Sequence, residues 1–155
     1  MSRLIRPKKR TALYVADAYS CCWCGSTPDD GVKLNLDHVI PRTDPTVPKH
    51  RQNLDTNLLT SCETCNKRRQ DLPVAKWIEE ITDTPAERDA LHASIARKLA
   101  DRADKAIMRH AKREAKAILE TVYPDSKGYQ LHGTGYGDWS FRTYQTWQKR
   151  HGVTK

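Results

Sequence analysis

The sequence predicts an α+β fold: a small strand–strand–helix core pinned by a metal, flanked by helices that include one long C-terminal helix. Three observations predict it. Two Cys-x-x-Cys pairs, Cys21/Cys24 and Cys62/Cys65, bracket the segment Leu36-Asp37-His38-Val39-Ile40-Pro41-Arg42. Val32, Leu34 and Leu36 alternate with Lys33, Asn35 and Asp37, the period of a half-buried strand. Val74, Trp77, Ile78 and Ile81 then fall on one helical face.

Four thiolates in two short-spaced pairs can close a tetrahedral zinc site, and such a site contributes folding energy outright. The chain has 155 residues, 37% of them hydrophobic, so its core is modest and a structural zinc staple suits it. Five cysteines, an odd number with two Cys-x-x-Cys spacings, read as metal ligands rather than disulfides in a reducing compartment. Cys22 is left over, a bystander or a member of a mixed ligand set. There is no long apolar run, and the basic start from Met1 to Arg10 has no apolar segment behind it. A soluble, cytoplasmic protein is expected.

The net charge is +8 and the sequence pI about 9.4, a balance that suits a polyanionic partner such as nucleic acid. The charge is uneven. Residues 21–85 carry eight basic against ten acidic side chains, while residues 86–123 carry nine against six. The first twenty residues set Arg3, Arg6, Lys8, Lys9 and Arg10 against Asp17 alone. An acidic core with basic flanks fits chemistry with a cation at the centre and phosphate held around it, with Lys8, Lys9 and Arg10 as candidate phosphate contacts. A basic flank can also be only a solvated one.

In order, residues 1–18 read as a basic N-terminal arm ending near Pro7, followed by a short helix from Thr11 to Tyr19. Residues 19–82 form the central domain with its packing helix, and residues 84–155 a helical extension. Gly25 and Gly31 mark a turn after the first cysteine pair. The first strand delivers Asp37 and His38 at its end. A loop with three prolines spans residues 41–53, and Asn57-Leu58-Leu59-Thr60 is the second strand, leading into Cys62. A helix follows from Cys65 through Asn66 to Asp71, and another from Pro73. Thr84-Pro85-Ala86-Glu87 is a capping sequence, with no Gly or Pro until Pro124. Leu91, Ile95, Leu99, Ala103, Ile107, Ile118 and Val122 stripe a single helix of about 37 residues, roughly 55 Å at ~1.5 Å each. That stripe is buried inside the chain or in a homodimer. The tail from Asp125 is rich in Gly and aromatics, including Tyr129, Tyr136, Trp139, Tyr144 and Trp147. A last helix, Ser140 to Arg150, stops at Gly152.

The chemistry follows from the residues between the staples. His38 is an imidazole able to take a proton from water near neutral pH. Asp37 is a hard oxygen ligand, and Asn66 offers a second oxygen just after Cys65. One carboxylate and one amide oxygen with waters make an open, magnesium-like site in which a substrate phosphate completes the coordination. A base beside such a site is what phosphodiester hydrolysis requires. Asn57 stands on the second strand, where its amide can bond across the hairpin and orient the loop carrying the base. Lys67, Arg68 and Arg69 beside Asn66 are candidate phosphate contacts or a solvated helix face. Arg42, at the end of the Asp-His segment, joins the nucleic-acid-binding candidates.

At Tyr-Ser-Cys-Cys-Trp-Cys-Gly (19–25), Leu-Asp-His-Val-Ile-Pro-Arg (36–42), Asn57 to Cys62 and Cys65 to Arg69, the sequence resembles the HNH endonucleases. These are the zinc-stapled branch of the ββα-metal, or His-Me finger, nucleases. The resemblance implies His38 as general base, Asp37 and Asn66 as ligands of a catalytic divalent metal, Asn57 as the positioning residue, and Cys21, Cys24, Cys62 and Cys65 as zinc ligands. Magnesium is the expected catalytic ion, with manganese or a similar ion as a substitute. The substrate would be DNA, double-stranded, cut to 5′-phosphate and 3′-hydroxyl ends. The third motif position is Asn66 rather than His, a common variant. The 41–56 loop has Lys49-His50-Arg51 where many members have a Gly-Gly turn. Free-standing HNH proteins of this size fit phage packaging or restriction machinery, in the host cytoplasm if phage-encoded. The competing reading is a non-catalytic zinc module that binds DNA or a protein partner, which would not need Asp37, His38 and Asn66 together.

Overall fold

The hairpin at the centre pairs β1 (Leu34–His38) with β2 (Leu58–Cys62), antiparallel, with Leu34 opposite Cys62 and His38 opposite Leu58. The computed structural model describes residues 5–124 and 135–152, with residues 135–140 described by backbone alone. β2 is buried along its whole length, whereas β1 has Asn35 and His38 half-exposed. The expected strand–strand–helix unit is closed by α2 (Glu63–Arg69), which starts two residues before Cys65 because the Cys62 Sγ caps it, accepting from the Cys65 N–H at 3.4 Å.

The short first helix begins earlier than the sequence periodicity suggests. α1 spans Pro7–Ala16, with Pro7 in its first turn, where a missing N–H costs nothing. It is part of the core: Ala12, Leu13 and Tyr14 are fully buried, and the Tyr14 hydroxyl donates to the Leu34 carbonyl at 3.1 Å. At its end Asp17 is buried. Its Oδ2 accepts the Thr60 N–H of β2 at 2.9 Å and a hydrogen bond from the Arg102 guanidinium, which also donates to the Leu58 carbonyl at 3.3 Å.

α3 (Val74–Ile81) turns Trp77 and Ile78 inward. The expected single helix from Thr84 to Val122 is two helices, α4 (Pro85–Ala103) and α5 (Lys105–Val122). The break is at Asp104, whose backbone is extended (φ −82, ψ 112) and whose carboxylate caps the next helix through the N–H groups of Ala106 and Ile107 at 2.9 and 3.1 Å. The apolar stripe changes register there. Ile95 is buried on α4 and Ile107 is exposed after the break, while α5 buries Ile118 of the expected stripe together with Met108, Ala111, Ala115 and Leu119. Ala111 and Ala115 meet Ala12 of α1 in a cluster of their own, small side chains that let the two helix backbones approach closely.

α6 (Gly135–His151) lays Tyr144 and Trp147 on Tyr19, with ring centroids 5.5 and 5.4 Å away. Arg150 pairs with Glu114 of α5 at 2.9 Å. The stretch from Asp125 to Thr134, Tyr129 included, lies outside the described residues, as do the side chains of Tyr136 and Trp139. Among the described residues no helix is long and apolar enough to cross a membrane.

The Asp17–Arg102 pair joins α1, β2 and α4 where neither side chain meets water. Removing Arg102 leaves the buried Asp17 carboxylate only Lys98, 4.0 Å away, as a cationic partner, and breaking a buried pair typically costs about 3–5 kcal/mol. Arg102→Met is expected to lose stability on that scale in urea unfolding followed by circular dichroism, and an unchanged midpoint would contradict this account of the pair.

Candidate active site

The thiols of the two Cys-x-x-Cys pairs come together from two turns. The first is the loop 21–26, closed by the Cys21 N–H on the Ser26 carbonyl (2.8 Å) and the Gly25 N–H on the Cys21 carbonyl (2.9 Å), with Gly25 at φ 78, a left-handed conformation glycine adopts without a Cβ penalty. The second is the β2–α2 junction. The Cys22 N–H donates to the Thr60 carbonyl at 2.9 Å and fastens the loop to β2. The ligating atoms of Cys21, Cys24, Cys62 and Cys65 all lie within 4.8 Å of one another, the one such group of His, Cys, Asp or Glu among the described residues. Cys24 and Cys62 Sγ are 3.9 Å apart. Tetrahedral Zn–S bonds of about 2.3 Å place sulfurs about 3.8 Å apart, so the four cysteines fit zinc and could bind it.

Burial pushes the Cys21 thiol up to about 11 and raises Cys65 further, with the neighbouring thiols adding to the effect. Cys24 is exposed, and although desolvation pulls it up, hydrogen bonds with Ser26, Cys21 and Cys65 together bring it down to about 7. Buried thiols that resist ionisation on their own give up protons to a divalent ion, which links metal binding to pH and to folding. Cys22 is buried beside them and is not in the cluster.

Asp37 is 4% exposed, and both its oxygens are engaged. Oδ1 accepts from Arg69 Nη1 at 2.8 Å and Oδ2 from Trp23 Nε1 at 2.9 Å. Burial raises its pKa, and Arg69 and Trp23 offset only part of that. Each oxygen keeps a further lone pair, so the carboxylate can still reach a cation. Asn66 donates its amide N–H to Asn35 Oδ1 at 2.8 Å, which leaves its own Oδ1 as the group without a role in that bond. Asp37, His38 and Asn66 line one cleft of about 310 Å³, together with Leu36, Pro41, Arg42, Gln70 and Asp71. Two oxygen donors at an open cleft fit a hard divalent cation.

His38 Nε2 is 2.8 Å from Asn53 Oδ1. An amide oxygen only accepts, so Nε2 carries the proton and Nδ1 the lone pair. Burial lowers the His38 pKa, against the Asn53 bond, which raises it. Asn57 secures the loop between the strands: its Oδ1 accepts the Ile40 N–H at 2.8 Å, and its amide N–H groups donate to the Gln52 and Ile40 carbonyls at 2.8 and 3.3 Å.

Two candidate phosphate contacts are placed elsewhere. Arg69 is fully buried, donating to Asp37 and to the carbonyls of His38, Val39 and Leu72, and is a structural clamp rather than a DNA contact. Arg10 is 6% exposed and donates to the Tyr14 hydroxyl at 3.2 Å, so it is not at the surface either. Lys67 and Arg68 are exposed, the first paired with Glu63 at 2.6 Å and the second over the Trp77 ring at 5.6 Å. Lys8 and Arg42 are exposed, and half-buried Lys9 holds the Asn53 carbonyl and lies 3.5 Å from Asp55. Sequence reasoning missed Trp23 and Asn53. Trp23 could have been noticed as the one large side chain inside a Cys-x-x-Cys loop, whereas nothing in the sequence marks Asn53 as a partner of His38.

Residues 21–72 match the family model described as HNH endonuclease. No curated protein and no solved structure matches the chain.

If the four thiolates hold zinc, Cys62→Ser removes a ligand while its hydroxyl can still cap α2, so the loss reports on the metal rather than on the helix start. Apparent zinc binding of about 10–16 kcal/mol is coupled to folding in comparable small sites. The variant is expected to lose bound zinc by elemental analysis and cooperative melting by calorimetry. A zinc-free melt at the parent temperature would refute the coupling.

Proposed function

We propose that this protein is a metal-dependent DNA endonuclease that hydrolyses phosphodiester bonds. The observation that carries the reading is the cleft itself: a base, a carboxylate and an amide oxygen converge on it, inside a segment that matches the HNH endonuclease model. His38, with its proton held on Nε2 by Asn53, takes a proton from the attacking water through Nδ1. Asp37 and Asn66 hold a divalent ion, magnesium by the hardness of their oxygens, with manganese as a substitute. When bound, that ion supplies positive charge at the 3′-oxygen as it leaves, giving 3′-hydroxyl and 5′-phosphate ends. Asn57 orients the loop that follows His38, and zinc at the four cysteines is structural. Arg42 at the cleft, with Lys67 and Arg68 on α2, contacts phosphates of double-stranded DNA.

The test is conversion of supercoiled plasmid to nicked or linear forms with magnesium, with manganese and with chelator. His38→Ala is expected to abolish cleavage while zinc content and melting are retained. Cleavage at the parent rate by that variant would remove His38 from the mechanism. Absence of cleavage by the parent protein with either metal, despite DNA binding, would favour a non-catalytic zinc module.

The pH dependence follows from the direction of the His38 shift. A general base works when neutral, and burial lowers the pKa, so His38 becomes neutral at lower pH than an ordinary histidine. The cleavage rate is expected to rise with pH and level off below the usual imidazole range near 6.5. An acid limb centred well above that range would assign it to another group.

A further inference from the structure

Another concavity, of about 390 Å³, shares no lining residue with the cleft. Arg6, Lys8 and Lys9 of the α1 start, Lys112 of α5, and Leu54 with Asp55 of the inter-strand loop line it. Four cationic side chains thus face one carboxylate. Asp55 reaches Lys9 and Lys112 at 3.5 and 3.7 Å, partly exposed pairs of the kind worth little in water. Among the described residues Arg6 and Lys8 have no acidic partner within ion-pair distance. The charge is therefore in excess, and it is supplied by elements outside the segment that matches the HNH model.

The concavity is joined to the base by one residue. Asn53 precedes Leu54 and Asp55; its carbonyl accepts from Lys9, and its side chain holds His38 Nε2 at 2.8 Å. The basic concavity thus borders the residue that holds the His38 ring.

We propose that the Arg6/Lys8/Lys112 concavity is a binding site for a backbone phosphate of DNA flanking the scissile one, Lys9 bracing Asn53 at its wall. The inference rests on the nuclease reading for its substrate. Its chemistry is phosphate neutralisation, so its signature is the salt dependence of binding. Removing one cationic side chain from a duplex phosphate lowers the slope of log affinity against log salt by about 0.9.

The experiment uses the full chain and a 30-bp duplex. Binding is followed by fluorescence anisotropy from about 50 to 200 mM salt, without added magnesium and without chelator, so that the cysteine centre is undisturbed. The double variant Lys8→Gln/Lys112→Gln is expected to reduce the slope by about 1.8, and Lys8→Arg/Lys112→Arg to keep it. In plasmid cleavage the Gln pair raises KM and leaves kcat unchanged at saturating DNA. Lys76→Gln, an exposed lysine on α3, is the control. An unchanged slope in the Gln pair overturns the site, and so does an equal per-charge reduction in Lys76→Gln, which would mean a diffuse field. Equal competition by a few millimolar inorganic phosphate against parent and Gln pair would also overturn it. The binding measurement needs no cleavage, so a parent protein that fails to cut DNA sinks the nuclease reading while the slopes still decide the site.

Discussion

Arg69 makes the hairpin, the cysteine loop and α2 one object. Its guanidinium is wholly buried and donates to the Asp37 carboxylate and to three backbone carbonyls, those of His38, Val39 and Leu72. Its Cζ also lies 5.4 Å from the centroid of the Trp23 ring, whose N–H completes the hold on Asp37. A charge so placed tolerates no loose partner, because an unpaired buried ion costs several kcal/mol. The position of Asp37 in the cleft is therefore fixed by the same contacts that fix the turn after His38. The cysteine centre enters through Trp23, which sits between Cys21 and Cys24, so closing that loop also orients the carboxylate.

The helices outside the hairpin do comparable work. Asp17 ends α1 by accepting the Thr60 N–H, and Arg102 reaches from α4 to the same carboxylate and to β2. α5 packs on α1 through alanines. α6 covers Tyr19 with Tyr144 and Trp147, and the Tyr144 hydroxyl donates to Asp29 in the turn after the cysteine loop. The hairpin is too small to bury β2 on its own, and these helices supply the missing wall.

What was legible in the sequence was whatever repeats or binds locally. The cysteine spacings located the thiol cluster, the alternation at Val32 to Asp37 located β1, and the spacing from Val74 to Ile81 located α3. The Asp37, His38 and Asn66 grouping could be read because the cysteine pairs fix the ends of the hairpin. Long-range choices could not be read. Nothing local distinguishes Arg69, which goes inward, from Arg68, which goes outward, and the choice is made by a carboxylate 32 residues away. Arg10 is likewise drawn in by Tyr14. The break at Asp104 did have a local signal, since Asp is a good N-cap, but a stripe of apolar residues on both sides masked it.

Lys9 and Tyr14 stand outside the segment that matches the HNH model, yet one steadies the residue behind His38 and the other holds the β1 carbonyl at Leu34. The motif is thus not a portable cassette. Cut out at its own boundaries, it would keep every residue named by its signature and lose the outside struts that set their aim. Grafting it onto another scaffold would transfer the lettering of the site without its alignment.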